Sequence, residues 1–525
     1  MFEGAYIFLL VAMIPFFSWQ QREDGRSILG ELITGAFLVG WIFYGSVPFA
    51  WDNTTMLALC FGAWMIASMS WSGSRQSGKD LYMMLTCLVV FLVARGLPLQ
   101  VLLSFIFLPG VIFAGATLIF YKSKELKRKW FIFGNYNHIG AFLLIPLFAG
   151  AWLTFNLSWW IAPLVVLIAV AIGLSQCRGA QIAVIIGLMY VACMQEPKML
   201  IVVPFALAGV WLIIRSRGDD LYKATSGRIS FLLATFLIIK KAPISGHGLR
   251  TFRREYPAIT PEILDSKLLK HFFARGRAVH SSTSHRVHND HLEIICELGL
   301  IGYVLLVLLF SSLSWTETSL LSGAFIAFAV HGLFFFPFRE AHTAFPFWAM
   351  AGGMAGTAAV IPVQPILGII AMLVIARVMY GIGVILVGLI HYDKGAKFTA
   401  IPNPEDNAGK EILKRKQFHT NQAIHCDPYN NFYLTEGYFY NVFDNPETAF
   451  QYASRCMENY DGGKVRWGVC DQYARAVLRL GGLGVAKMAV KYALHICPDF
   501  KQSQELMGQV IQMEKDMKVQ QEKVA

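Results

Sequence analysis

The chain has 525 residues, of which 55% are apolar and 15% charged, with a net charge of +11 and a mean hydropathy of +0.50. A soluble protein carries about 25% charge, and here the apolar residues fall in blocks of the order of the 20 helical residues that cross a bilayer core. A soluble enzyme, a disordered scaffold and a nucleic-acid binder are excluded, and the basic excess points instead to anionic headgroups or an anionic substrate.

In chain order the apolar blocks predict twelve or thirteen spans, at 2–19, 28–50, 56–71, 81–94, 97–121, 138–156, 158–176, 180–194, 199–214, 290–312, 318–336, 343–362 and 364–391. The block from Phe2 to Trp19 has neither a basic leader nor a small-residue cleavage site, so it reads as the first span and not as a cleaved signal. Arg95-Gly96 separates two blocks as a tight turn or a kink. Two polar stretches interrupt the pattern, residues 215–289 and everything after Tyr392. Within the first, Ile229–Ile239 is too short to span. It predicts an amphipathic helix along the interface, opened by Arg228 and closed by Lys240-Lys241. Arg377 lies mid-span, where an interhelical pairing is expected. The chain thus divides into an all-α, polytopic transmembrane domain over 1–391, with 215–289 as its extramembrane loop, and a soluble helical domain over 392–525.

The tail begins as a loop rich in Pro, Asn and Asp and takes a helical pattern from about Pro446. Thr448–Ala453 and Met488–Ala493 repeat Ala-x-x-Tyr-Ala forty residues apart. Paired helices with small and aromatic positions, closed by Pro498, resemble tetratricopeptide hairpins; an ordinary helical hairpin is the other reading. Of nine cysteines, four lie in the tail (Cys426, Cys456, Cys470, Cys497). None forms a CxxC pair, which argues against zinc there, and the even number permits two disulfides in an oxidising compartment.

The densest polar signal is 280–302, which holds four histidines within twelve residues. At the mouth of a span, His288, Asn289, Asp290, His291 and Glu293 form a polar rim. Asn289 or Asp290 is placed to cap the helix, and its N-terminus favours an anion. A histidine there accepts a proton from a hydroxyl near neutral pH. The competing readings are a polar turn that merely anchors the span and a metal site of His288, His291 and Glu293, which has no metal-specific spacing to support it. Arg178 stands at a sharp break between two apolar blocks, and Arg228 follows Ser226-Gly227. Paired arginines offer forked donors to a diphosphate; a snorkelling arginine is the alternative for each. Gly246-His247-Gly248-Leu249-Arg250 reads as a tight loop, and Asn137 as an N-cap or site-lining amide.

The ordered set Gly-x-x-Asn (Gly134 to Asn137), Ser-x-x-Arg-Gly (Ser175 to Gly179), Ser-Gly-Arg (226–228), Pro-x-x-Gly-x-Gly (Pro243 to Gly248) and His-Asn-x9-Gly-x-x-Gly (His288 to Gly302) resembles the O-antigen ligase and O-oligosaccharyltransferase superfamily, which also holds O-antigen polymerases. The resemblance covers about residues 50–360, and its last motif is the specific one. It implies a GT-C-like membrane fold in the bacterial inner membrane, an undecaprenyl-diphosphate-linked glycan donor, and metal-independent, inverting transfer at the periplasmic face with no cofactor. It also implies His288 as the catalytic base and Arg178 with Arg228 as the diphosphate pair, with Arg250 in the same loop a further candidate. Asn137, Asn289, Asp290 and His291 are expected to line the site. With the N-terminus inside, the outward loops carry Arg22, Arg26, Arg75, Lys79, Lys122 to Lys129 and Arg178, against the positive-inside rule. The family's orientation is retained, with those bases facing anionic lipid and substrate.

The acceptor is open between a lipid A core, another repeat unit and a protein hydroxyl. The polar tail favours a protein. A non-enzymatic lipid-glycan transporter is the alternative of another class, and it predicts an internal repeat of spans that the sequence does not contain.

Overall fold

The computed structural model describes residues 2–14, 22–44, 46–48, 51–74, 77–120, 136–195, 220–253, 255–256, 259, 286–315, 319–356, 360–362, 365–396, 407–427, 431–442, 445–458, 467–496 and 501–524. These are helical apart from connecting turns and one ribbon, in which Ser46–Pro48 pairs antiparallel with Val360–Pro362. In chain order the helices are α1 (Phe2–Phe8, continuing as π-helix through Met13), α2 (Arg22–Tyr44), α3 (Asn53–Ser68), α4 (Ser77–Ala94), α5 (Leu99–Phe120), α6 (Tyr136–Asn156), α7 (Ala162–Leu174), α8 (Arg178–Gln195), α9 (Asp220–Lys241), α10 (Asp290–Ser311), α11 (Ser319–Gly332), α12 (Ala341–Met354) and α13 (Pro365–Ala396). Twelve of the expected blocks fall on helices, and the block at 199–214 lies outside the described residues. Among the described residues, five helices are long and apolar enough to cross a membrane: Ser77–Ala94, Leu99–Ile119, Asn137–Asn156, Arg178–Gln195 and Asp290–Ser311. Five shorter apolar helices accompany them.

Two-sidedness is visible along α10. Leu300, Val304 and Leu308, four residues apart, are all exposed, whereas Leu298, Gly302, Leu306 and Leu309 are buried. An exposed leucine stripe of this kind is stable against lipid and not against water. At the centre lies α12, buried over nearly all of its length, with Phe345, Phe347 and Trp348 fully enclosed. Phe347 stacks on Phe328 at 4.2 Å and meets the edge of Phe338 at 5.1 Å. Where α8 crosses α11, Gly187 and Gly323 face each other: a Cβ on Gly187 would lie 2.5 Å from the Gly323 carbonyl oxygen. Small residues at such a crossing let helices approach where no hydrophobic effect drives them together.

The Arg95-Gly96 break is a tight turn, closed by the Gly96 N–H on the Val93 carbonyl at 3.0 Å. Arg95 is buried there against Asp52, the N-cap of α3, whose side chain also accepts from the Thr55 N–H at 2.8 Å. Among the described residues Arg377 makes no interhelical ion pair. Its side chain is exposed and its guanidinium lies 5.9 Å from the Tyr380 ring, one turn along the same helix, which an interfacial arginine achieves without crossing to a neighbour.

Two boundaries differ from expectation. The helix expected over Ile229–Ile239 begins at Asp220, because Tyr222 to Gly227 continue it with polar residues that a hydropathy count passes over. Likewise the tail is already helical from Asn407: α14 (Asn407–Cys426) and α15 (Asn431–Asn441) precede α16 (Pro446–Glu458), α17 (Trp467–Arg479), α18 (Leu483–Ile496) and α19 (Lys501–Val524). Each tail helix packs on its neighbour in sequence. The repeated Tyr-Ala pairs take comparable places: Tyr452 and Tyr492 pack on one cluster with Cys456, Cys470 and Ala493, and Ala453 is also buried. The described cysteines are free thiols. Lys79, just before Asp80 in α4, pairs with Asp427 of the tail at 2.6 Å.

Candidate active site

The site begins with a broken helix. Gly299, inside α10, has φ 70° and ψ −175°, a conformation that costs a residue with a Cβ heavily. The break releases backbone groups, and the loop after α9 satisfies them. His247 and Gly248 donate to the carbonyls of Cys296 and Glu297 at 3.0 and 2.7 Å, while Leu300 and Ile301 donate to those of Pro243 and Ile244 at 2.9 and 3.2 Å. The Trp64 indole donates to the Leu298 carbonyl at 2.8 Å. Loop and helix touch through glycines: a Cβ on Gly299 would lie 2.1 Å from the Ile244 oxygen, and one on Gly246 2.4 Å from the Glu297 oxygen. The two glycine motifs of the sequence are therefore the two sides of one contact. Irregular backbone at membrane depth is stable only when paired in this way.

His288 precedes α10 and is held on both sides. The Asn289 carboxamide oxygen caps the helix by accepting from the Leu292 N–H at 3.0 Å, and the Glu293 carboxylate accepts from the Val287 N–H at 2.9 Å. Between these anchors His288 has φ 58°. Among the described residues the only other non-glycines in the left-handed region are Gln176 and Arg250, and both stand in motif loops. Such strain persists only where the surroundings enforce it, and it gathers at functional sites. The His288 ring lies 5.8 Å from Phe231 and 5.1 Å from Phe336, centroid to centroid. Its Nδ1 is buried without a hydrogen-bond partner among the described residues. Burial, and then the charge of Arg228, push its pKa down to about 4. The imidazole is thus neutral at neutral pH and able to take a proton.

Arg228 lies inside α9, one turn before Phe231, and its charge acts on both His288 and Cys177. Cys177 directly precedes Arg178, the first residue of α8. Its thiol reaches the Asn137 carbonyl at 3.8 Å, and a Cβ on Gly140 would lie 2.6 Å from its own Cβ. The Asn137 segment, the Arg178 turn, Arg228 and His288 therefore converge from four separate parts of the chain. His331, buried on α11, meets the same turn, where a Cβ on Gly179 would come within 3.0 Å of its Nδ1.

The other candidates have structural partners. Arg250 donates to Asp80 at 3.1 Å. Asp290 accepts from the Phe338 N–H at 2.7 Å. His291 donates through Nε2 to the Ala329 carbonyl at 2.9 Å, which leaves Nδ1 to accept from the Tyr303 hydroxyl at 3.2 Å. With His291 and Glu293 so engaged, the alternative metal set with His288 does not assemble.

Sequence reading missed a buried charge network beneath the site. Asp80 accepts from Arg286 at 2.7 Å and from Arg339 at 3.1 Å, besides Arg250. Arg286 also reaches Glu293 at 3.1 Å, and Arg339 reaches Glu297 at 2.8 Å. Three arginines thus balance three carboxylates, a condition for keeping so many charges out of water. Their only signal in the sequence was the presence of Glu293 and Glu297 inside the otherwise apolar block 290–312. A second missed group is His138, Glu340 and His342, all buried, with ligand atoms within 4.8 Å of one another. Along α4, below Asp80, a cavity of about 610 Å³ opens among α2, α3, α4 and α13, with Gly35, Leu59, Tyr82, Val89 and Met379 in its apolar wall.

Residues 163–307 match a family model described as O-antigen ligase. The match agrees with the resemblance to the O-antigen ligase and polymerase superfamily seen in the motifs, and it contains Arg178, Arg228, Arg250, His288 and Gly299. Members of that family are enzymes of glycosyltransferase or ligase type. No curated protein and no solved structure matches the chain.

Proposed function

We propose that the chain transfers an oligosaccharide from an undecaprenyl-diphosphate donor to an acceptor hydroxyl, at the periplasmic face of a bacterial inner membrane. The observation that carries this reading is the placement of His288, buried against Phe231 and Phe336 in a left-handed backbone at the start of α10, with the charge of Arg228 near it. His288 takes the proton of the acceptor hydroxyl as its oxygen bonds to C1 of the first sugar. The electron pair of the breaking C1–O bond passes to the diphosphate, and attack opposite the leaving group inverts C1. Arg228 and Arg178 neutralise the diphosphate as its charge grows, in surroundings where water does not screen it. Proton transfer of this kind is worth about 10²–10⁴-fold. No cofactor takes part in the step. The cavity along α4 supports a lipid-linked donor, since its apolar wall suits a polyprenyl chain.

The acceptor is a protein. What supports this is the tail, whose Asp427 pairs with Lys79, beside the Asp80 to which Arg250 and Arg286 bind, and whose Cys456 lies within reach of the charge of Arg253. A stack of helices joined to α4 through Asp427 and Lys79, tetratricopeptide-like in its repeats, suits a peptide partner and would hold it at high effective concentration. The test uses purified full-length protein with lipid-linked glycan. His288→Ala abolishes transfer, and deletion of 400–525 lowers transfer to a protein far more than donor hydrolysis. Full transfer to protein by the truncated chain refutes the acceptor and favours a lipid A core or repeat-unit acceptor. Turnover by His288→Ala at the wild-type rate refutes the catalytic role, and movement of the lipid-linked glycan without transfer identifies a transporter.

A further inference from the structure

We propose that His138, Glu340 and His342 bind a divalent transition-metal ion, zinc first, as a clip between α6 and α12. His138 stands in the first turn of α6, and Glu340 and His342 flank the start of α12. The Nδ1 atoms of both histidines lie 3.9 Å from Glu340 Oε2, and the three side chains are 8%, 2% and 1% exposed in the order His138, Glu340, His342. At 3.9 Å these contacts are too long for hydrogen bonds. Zinc with bonds of about 2.0–2.2 Å sets its ligand atoms roughly 3.3 Å apart, so small side-chain rotations bring the set to coordinating distance.

The donor chemistry selects the ion. Two imidazoles with one carboxylate suit zinc and its neighbours, with a fourth position left for water, whereas magnesium and calcium take oxygen ligands. Both imidazoles face the same Glu340 carboxylate oxygen, each Nδ1 at 3.9 Å from it.

The position gives the clip a purpose. His138 meets the edge of Phe335 at 5.0 Å, Phe335 stacks on Phe336 at 4.2 Å, and Phe336 meets His288 at 5.1 Å. An ion there fixes the aromatic wall behind His288 while the transfer chemistry stays with His288. The metal site does not depend on the glycan-transfer reading and is measured without it.

The experiment purifies the full chain in detergent from zinc-supplemented cells, without chelator, and measures zinc by mass spectrometry. One zinc per chain is expected, falling about tenfold or more in His138→Ala, Glu340→Gln and His342→Ala. Because buried substitutions can unfold a protein, the wild type is also stripped with a chelator and titrated with cobalt. Visible d–d bands of a low-coordinate site, quenched by added zinc, support the proposal. Wild-type protein with no stoichiometric zinc and no cobalt spectrum overturns it, as does zinc retained at full occupancy by all three variants.

Discussion

Glu293→Gln separates the hold on His288 from the charge network that surrounds it. The carboxylate accepts from the Val287 N–H at 2.9 Å and from Arg286 at 3.1 Å, and is fully buried. Bonds to a charged group are worth about 1.5–3 kcal/mol and neutral ones about 0.5–1.5. Glutamine keeps one acceptor oxygen, so the weakened hold amounts to roughly 1–3 kcal/mol. That equals the cost of about 1–3 kcal/mol for a non-glycine in the left-handed region, where His288 sits at φ 58°. The backbone then relaxes in much of the population, and kcat falls about 10- to 100-fold, since each 1.4 kcal/mol is worth tenfold. KM for the donor changes little because Arg178 and Arg228, the proposed diphosphate partners, are untouched. The control is Glu297→Gln, which loses the partner of Arg339 at 2.8 Å but touches no backbone near His288. Initial rates with lipid-linked donor, alongside melting temperatures, decide between them. If both variants lose stability and rate to the same degree, Glu293 does no more than fill the network and the positioning argument is wrong.

The pH dependence follows from His288. Its folded pKa of about 4 lies below the usual histidine value, so kcat/KM of the free enzyme stays flat from pH 7 through 6 and declines only toward pH 4; a decline centred near the unperturbed value of about 6.5 contradicts the buried, neutral base. The same residue makes the unfolded chain bind more protons between those two values, so its contribution to stability falls as pH drops through that window. Gly299→Ala brings a Cβ to 2.1 Å from the Ile244 oxygen at φ 70° and lowers stability by more than about 3 kcal/mol, seen as loss of folded protein in detergent; a normally melting variant refutes the glycine contact. His291→Phe gives up the bonds to Ala329 and Tyr303, costing about 1–3 kcal/mol in thermal stability while transfer persists; loss of turnover without loss of stability makes His291 part of the chemistry.

Much of this was legible because membrane helices announce themselves by length. The blocks at 81–94 and 97–121 correspond to Ser77–Ala94 and Leu99–Phe120, and Asn289 is the N-cap that its position before an apolar run predicts. What escaped were features that hydropathy does not weigh. Asn407–Cys426 is amphipathic and mostly polar, so its loop-like composition hid a helix. Asp80 meets Arg286 and Arg339 across more than 200 residues, and no local pattern connects them. The Glu-x-His of 340 and 342 acquires its meaning only beside His138.

The irregular backbone explains why these particular motifs stand out in the sequence. A lipid-facing helix tolerates almost any apolar sequence, so its residues carry little information beyond their class. At Gln176, Arg250 and His288 the chain leaves the ordinary backbone regions, and at Gly246, Gly248 and Gly299 it does so with glycine. Three of these departures have named partners: Pro243 to Gly248 for the break in α10, Glu293 for the turn at His288, and Asp80 for Arg250. Pairing of that kind restricts residue type at both ends, which leaves short fixed motifs at span ends amid permissive spans. The same pairing fixes the backbone that carries His288, which the proposed transfer requires.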